Sequence, residues 1–166
     1  MKGVDRRSLL FSATSFIFIP QLVSAAPPNP PPHILLVCQF GTVQSPIARE
    51  LLKRRAAQRH FQLEVAARGI TPEQHITLDL LGRLTEDGIN PAAEPLMKLS
   101  PQDVAAADLV ISFDKLPPEY RPRELEDWSD LPSMVNDYAR ARSVLDARID
   151  RLLDRLSKLR ATFHLP

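Results

Sequence analysis

A chain of 166 residues with 21 lysines and arginines against 20 aspartates and glutamates has a formal charge of +1, so no global positive field draws it to nucleic acid or anionic lipid. A single cysteine excludes an internal disulfide and leaves the fold to be held by its apolar core. The chain is long enough for one core-bearing domain behind an amino-terminal segment of different character.

That segment, residues 1–25, begins with a basic stretch containing Arg6-Arg7, continues through an apolar run from Leu9 to Val23, and ends at the small residues Ser24-Ala25. It reads as an export signal of the twin-arginine type. Pro20, Ser12, Thr14, Ser15 and Gln21 interrupt the run, which falls short of the roughly 20 apolar residues a membrane span requires. Removing it takes away Lys2, Arg6, Arg7 and Asp5, leaving 18 basic against 19 acidic residues. The mature protein is then periplasmic or secreted, without stable membrane insertion. Residues 26–32, APPNPPP, form neither helix nor central strand and read as a linker. The domain is expected over 33–160, with a tail at 161–166.

In chain order, His33 to Cys38 is an apolar run of strand character, and Ser45 to Ala57 places Ile47, Leu51 and Leu52 at helical spacing. Phe61 to Ala67 alternates as a strand before Arg68-Gly69. His75 to Asp87 repeats Leu78, Leu81 and Leu84 as a helix that stops at Gly88, and Ser100 with Asp103 opens a short helical turn. Asp108 to Phe113 is a third strand, and a weaker one lies near Leu125 to Trp128. The last helix starts at Asn136 or Asp137, with Tyr138, Val144, Leu145, Ile149, Leu152, Leu153 and Leu156 on its apolar face. Helices between short strands imply βα units and a parallel sheet covered on both sides.

Ligands of such sheets bind beyond the carboxyl ends of the strands, where Cys38 stands. A thiol there, followed by loop N–H groups and a helix start, sits beside an anion site that favours the thiolate. A free cysteine is also often a small buried hydrophobe. Ser45, before Pro46, reads equally as the N-cap of the following helix. Asp130 reads equally as a turn residue before Pro132. His33, His60, His75 and His164 show no metal-ligand spacing, so no metal is expected.

The segments CQFGTVQSPIARELL, AARGI, GINPAAEPLMKLSPQDVAAADLVISF and WSDLPSMVNDYARARSVLDARIDRLL resemble the low-molecular-weight protein tyrosine phosphatases and the arsenate reductases of the same fold. The resemblance implies a three-layer α/β/α sandwich with a four-stranded parallel sheet. It also implies a nucleophile at Cys38 and an anion loop of Phe40, Gly41, Thr42, Val43, Gln44 and Ser45, with Ser45 donating to the sulfur. Asp130 is the implied general acid, with Asp127 as the alternative. Trp128, Tyr120 and Tyr138 are implied at the pocket rim, Tyr138 reading equally as a residue that packs the last helix against the sheet, and Arg68 is expected to bring positive charge near it. No cofactor is implied.

The family's loop arginine falls on Gln44 in this chain. A guanidinium meets two phosphoryl oxygens with permanent charge, whereas a glutamine amide is uncharged. The expectation is a phosphoryl or other oxyanion site with impaired or absent turnover, that is, a pseudoenzyme. The alternative is an active phosphotyrosine hydrolase working through a cysteinyl-phosphate. The partner is a phosphorylated small molecule or protein, or another oxyanion. Reduction of arsenate through an internal disulfide is excluded by the single cysteine.

Overall fold

The computed structural model describes residues 30–162, so the expected export signal, residues 26–29 of the linker, His164 and residues 163–166 lie outside it. Eight elements follow one another: β1 His33–Cys38, α1 Gln44–Gln58, β2 Glu64–Gly69, α2 Leu78–Glu86, α3 Pro101–Ala106, β3 Leu109–Ser112, β4 Leu125–Asp127 and α4 Tyr138–Thr162. The strands form a parallel four-stranded sheet in the order β2-β1-β3-β4.

β1 is central and apolar throughout because both of its faces are covered. Ile34, Leu36 and Cys38 pack in one core with residues of α1, α2 and α4, while Leu35 and Val37 pack in the other with Val104 and Ala107 beside α3. The result is the expected three-layer α/β/α sandwich. Side-chain alternation along β1 therefore decides on which side of the sheet the Cys38 sulfur emerges. It emerges on the α1 side.

Several boundaries differ from the sequence expectation. β2 runs from Glu64 to Gly69 rather than from Phe61 to Ala67, because the backbone of Gly69 pairs on to Met97 and Leu99. α2 starts at Leu78, where the Thr77 hydroxyl accepts from the Leu80 N–H and caps the first turn. α4 starts at Tyr138 and runs to Thr162, two residues past the expected domain end. α3 opens as expected, with a reciprocal capping box between Ser100 and Asp103.

The start of α1 bears on the site. Its N-cap is Val43, without a side-chain cap, and Ser45 lies inside the helix. The Ser45 N-cap expectation is thus overturned: its hydroxyl is engaged by Cys38 and by the Arg68 carbonyl instead. The first N–H groups of α1 stay uncapped. Among the described residues no helix is long and apolar enough to cross a membrane.

Candidate active site

β1 ends at Cys38 and α1 begins at Gln44, so residues 39–43 turn the chain from strand to helix within a short loop. The segment after β2 ties down the carbonyl at the end of β1 and two in the loop: Ile70 donates to the Cys38 oxygen at 3.1 Å, Thr71 to Gln39 at 2.9 Å and Glu73 to Phe40 at 3.1 Å. The Thr42 hydroxyl returns a bond to the Glu73 carbonyl, and Gln39 Nε2 donates to Thr71 Oγ1. In a trans peptide the carbonyl and the following N–H point oppositely. The strap over residues 70–73 therefore turns the Gln39, Phe40 and Gly41 N–H groups the other way.

Gly41 adopts φ +71°, a conformation open to glycine at little cost, and this reversal carries the loop into the helix. The N–H groups of Phe40, Gly41, Thr42, Val43, Gln44 and Ser45 find no acceptor among the described residues. Successive free donors closing on a helix N-terminus make an anion cradle. The loop thus presents unpaired backbone donors at the positions expected to bind an anion.

Cys38 is 1% exposed, and its sulfur lies 3.0 Å from Ser45 Oγ. Ser45 is itself wholly buried, and its hydroxyl can donate to a thiolate in that position. Gln44, the first residue of α1, is half-buried, and its side-chain amide makes no hydrogen bond among the described residues. It is an uncharged side chain at the start of α1.

The residues expected around this centre are placed elsewhere. Asp130 is exposed and forms a two-pronged pair with Arg148 at 2.7 and 2.8 Å. The hydrogen bond and charge of Arg148 hold its carboxyl below the usual range. Asp127 is held low by its hydrogen bonds from Ser129. Together with Trp128 and Arg148 they line a cleft between β4 and α4 that includes no residue of the Cys38 loop. A general acid must hold its proton near the operating pH. Both carboxyls are shifted in the opposite direction.

The expected rim residues also move. Trp128 is 6% exposed, meets Phe113 edge-on at 5.8 Å and donates to Glu126, so it is a core residue. Tyr138 donates to Asp87 at 2.5 Å and ties the start of α4 to the end of α2. Arg68 alternates along β2 with Ala66, on the α3 side of the sheet, where its guanidinium meets Asp103 at 2.8 and 2.9 Å. Its side chain therefore supplies no charge to the cradle, and only its backbone carbonyl faces Ser45.

One residue was missed. Asp114, just past β3, accepts from the Gln39 N–H at 2.7 Å through Oδ2. The signal was its place after the DLVISF run, because a polar side chain at the carboxyl end of a central parallel strand faces the ligand crevice. A separate cleft of about 350 Å³ runs along the outer wall of the loop and is lined by Gly41, Thr42, Pro46 and Arg49 but not by Cys38. No group of acids, histidines and cysteines suited to hold a metal occurs among the described residues.

The family described as low molecular weight phosphotyrosine protein phosphatase matches residues 33–150. The chain matches no curated protein by sequence. Among solved structures, the YwlE arginine phosphatase from Geobacillus stearothermophilus is 22% identical, with a TM-score of 0.64 over 82% of this chain and 99% of that one. A low molecular weight phosphotyrosine phosphatase from Vibrio cholerae is 18% identical, with a TM-score of 0.63 over 76% and 97%. The thioredoxin-dependent arsenate reductase of Corynebacterium glutamicum is 26% identical, with a TM-score of 0.62 over 78% of this chain and 63% of that one. The first two likenesses carry the fold alone.

Proposed function

This chain belongs to the low molecular weight phosphotyrosine protein phosphatase family, and we propose that it is an exported oxyanion-binding member whose phosphoryl turnover is impaired or absent. The observation that carries this reading is the pairing of an intact cradle with a neutral last position. The N–H groups of residues 40–45 stand free around Cys38, while Gln44 takes the place of the charged donor. Backbone donors alone can hold a tetrahedral oxyanion. Transfer asks for more.

When the Cys38 sulfur attacks phosphorus, the S–P bond forms as the bond to the leaving oxygen breaks, and charge gathers on the equatorial oxygens. A guanidinium would stabilise that charge; the Gln44 amide is an uncharged donor. Loss of a single oriented donor in such a site costs about 10²- to 10³-fold. The departing oxygen also needs a proton, and Asp127 and Asp130 are both biased toward the ionised form.

The hydrolase reading is favoured by one contact, the 3.0 Å approach of Ser45 Oγ to the Cys38 sulfur, which supports a nucleophilic thiolate. For turnover through Asp130, that carboxyl would have to leave Arg148 and take up a proton. The assay that separates the readings is p-nitrophenyl phosphate hydrolysis between about pH 4.5 and 8, because p-nitrophenolate leaves without needing the acid. Silence relieved by Gln44→Arg supports the binding reading, whereas Cys38-dependent turnover by the unaltered chain establishes the hydrolase. Export is part of the proposal and rests on residues 1–25; an uncleaved amino terminus on protein recovered from the cytoplasm would remove it.

A further inference from the structure

We propose, taking the anion site above as given, that the cradle selects singly charged tetrahedral oxyanion esters, sulfate monoesters or phosphodiesters, over doubly charged phosphomonoesters. The reason is its charge inventory. The arginine position holds neutral Gln44, and one carboxylate, Asp114, sits against the first loop N–H.

Asp114 stands on the donor side of the loop. The Cys38 carbonyl bonds Ile70 on the β2 side, so the Gln39 N–H of the same peptide points toward β3, where Asp114 Oδ2 meets it at 2.7 Å. Standard backbone dimensions then put that oxygen within about 7 Å of the Cys38 sulfur. At such a separation, in partly dehydrated surroundings, each extra negative charge on a ligand is repelled enough to weaken binding by about tenfold.

Lys98, whose backbone pairs with Gly69 beside the loop, is exposed to solvent, and the arginines around the loop are committed elsewhere. Arg68 is held by Asp103 on the opposite face of the sheet. Arg49, 2% exposed, is held by Glu50 and Glu94 along the outer wall of the loop. Arg148 is held by Asp130 beside α4. Lys115 is exposed and forms no ion pair with Asp114 among the described residues. Facing the loop from the strap after β2 are exposed Glu73, a further acid, and His75, whose ring lies 4.7 Å from that of Phe40. A dianion would meet a resident carboxylate against the first loop N–H with no guanidinium at position 44 to offset it. A monoanion can use the same N–H donors at a smaller electrostatic cost.

The test is calorimetric titration of the Cys38→Ser chain at about pH 8, where phosphomonoesters, with a second pKa of about 6, are dianions. Fixed pH holds every protein group in the same state across ligands. Phenyl sulfate is expected to bind about tenfold more tightly than phenyl phosphate. Methyl phenyl phosphate, a diester, is expected to follow the sulfate and so separates charge from the identity of the central atom. Adding Asp114→Asn, which keeps an acceptor for the Gln39 N–H and removes the charge, is expected to raise phenyl phosphate affinity and close the gap. Equal or tighter binding of phenyl phosphate by the Cys38→Ser chain overturns the proposal, as does a gap that Asp114→Asn leaves unchanged. Failure of all three ligands to bind either chain overturns the anion site itself.

Discussion

Gly41 and Gly69 meet backbone to backbone: a Cβ on Gly41 would lie 2.8 Å from the Gly69 nitrogen, and one on Gly69 would lie 2.9 Å from the Phe40 carbonyl oxygen. The loop can therefore lie flat against the end of β2, which lets residues 70–73 take up its carbonyls. Gly41→Ala faces both this contact and a φ of +71°. It is expected to destabilise the fold by about 1–3 kcal/mol in urea unfolding. It is also expected to abolish oxyanion binding by calorimetry. A well-folded alanine variant that still binds would show that the close approach is not what shapes the cradle.

Ser45→Ala removes the hydroxyl 3.0 Å from the Cys38 sulfur. A hydrogen bond to a charged group contributes about 1.5–3 kcal/mol. Alkylation of Cys38 by iodoacetamide at about pH 7 should therefore slow by roughly tenfold in the folded protein. An unchanged rate would mean that the serine packs the loop without supporting the thiolate.

Arg49 is the most deeply buried charge in the described chain, held by Glu50, Glu94 and the Pro91 carbonyl. Glu94 is pushed up by burial, but the hydrogen bond from Lys53 and the charge of Arg49 outweigh this and leave its carboxyl below the usual range. Arg49→Leu should cost about 2 kcal/mol in urea unfolding, less than for a wholly buried pair because Glu94 keeps contact with water. Arg49→Lys should recover little of it, since a point charge cannot serve three acceptors on different sides.

Asp103 is raised by burial, yet the hydrogen bonds from Ser100 and Arg68 outweigh this and hold its carboxyl below its ordinary value. A folded-state value below the unfolded one contributes stability that is present above the unfolded value of about 3.9 and is lost as pH falls through the folded value. Urea midpoints measured at about pH 6 and pH 3 should fall further for the unaltered chain than for Asp103→Asn. Equal falls would mean that the Arg68–Asp103 pair is not coupled to folding.

Much of the architecture was legible because burial imposes a period on the sequence. β1, buried on both faces, reads as an unbroken apolar run, and the Ser100–Asp103 box announces α3 at the residue where it forms. The start of β2 was misread because the apolar residues Phe61 and Leu63 pack against the core from a connection without strand pairing. The start of α1 was misread because Ser-Pro is a common helix opening, while here the serine is drawn to a sulfur seven residues back in sequence.

By itself, the sequence determined the fold class, the lone cysteine at a strand end and the uncharged glutamine at residue 44, because each depends on residue type and local spacing. Only the tertiary structure decided which groups surround that nucleophile. Arg68, Trp128, Tyr138 and Asp130 are near the loop in pattern, yet each is claimed by another partner: Asp103, Phe113, Asp87 and Arg148. Asp114 lies 76 residues from Cys38 in the chain, yet its carboxylate meets the peptide next to the nucleophile because β1 and β3 pair in parallel. Strand alternation and the competition of charges for partners are settled by contacts between distant segments.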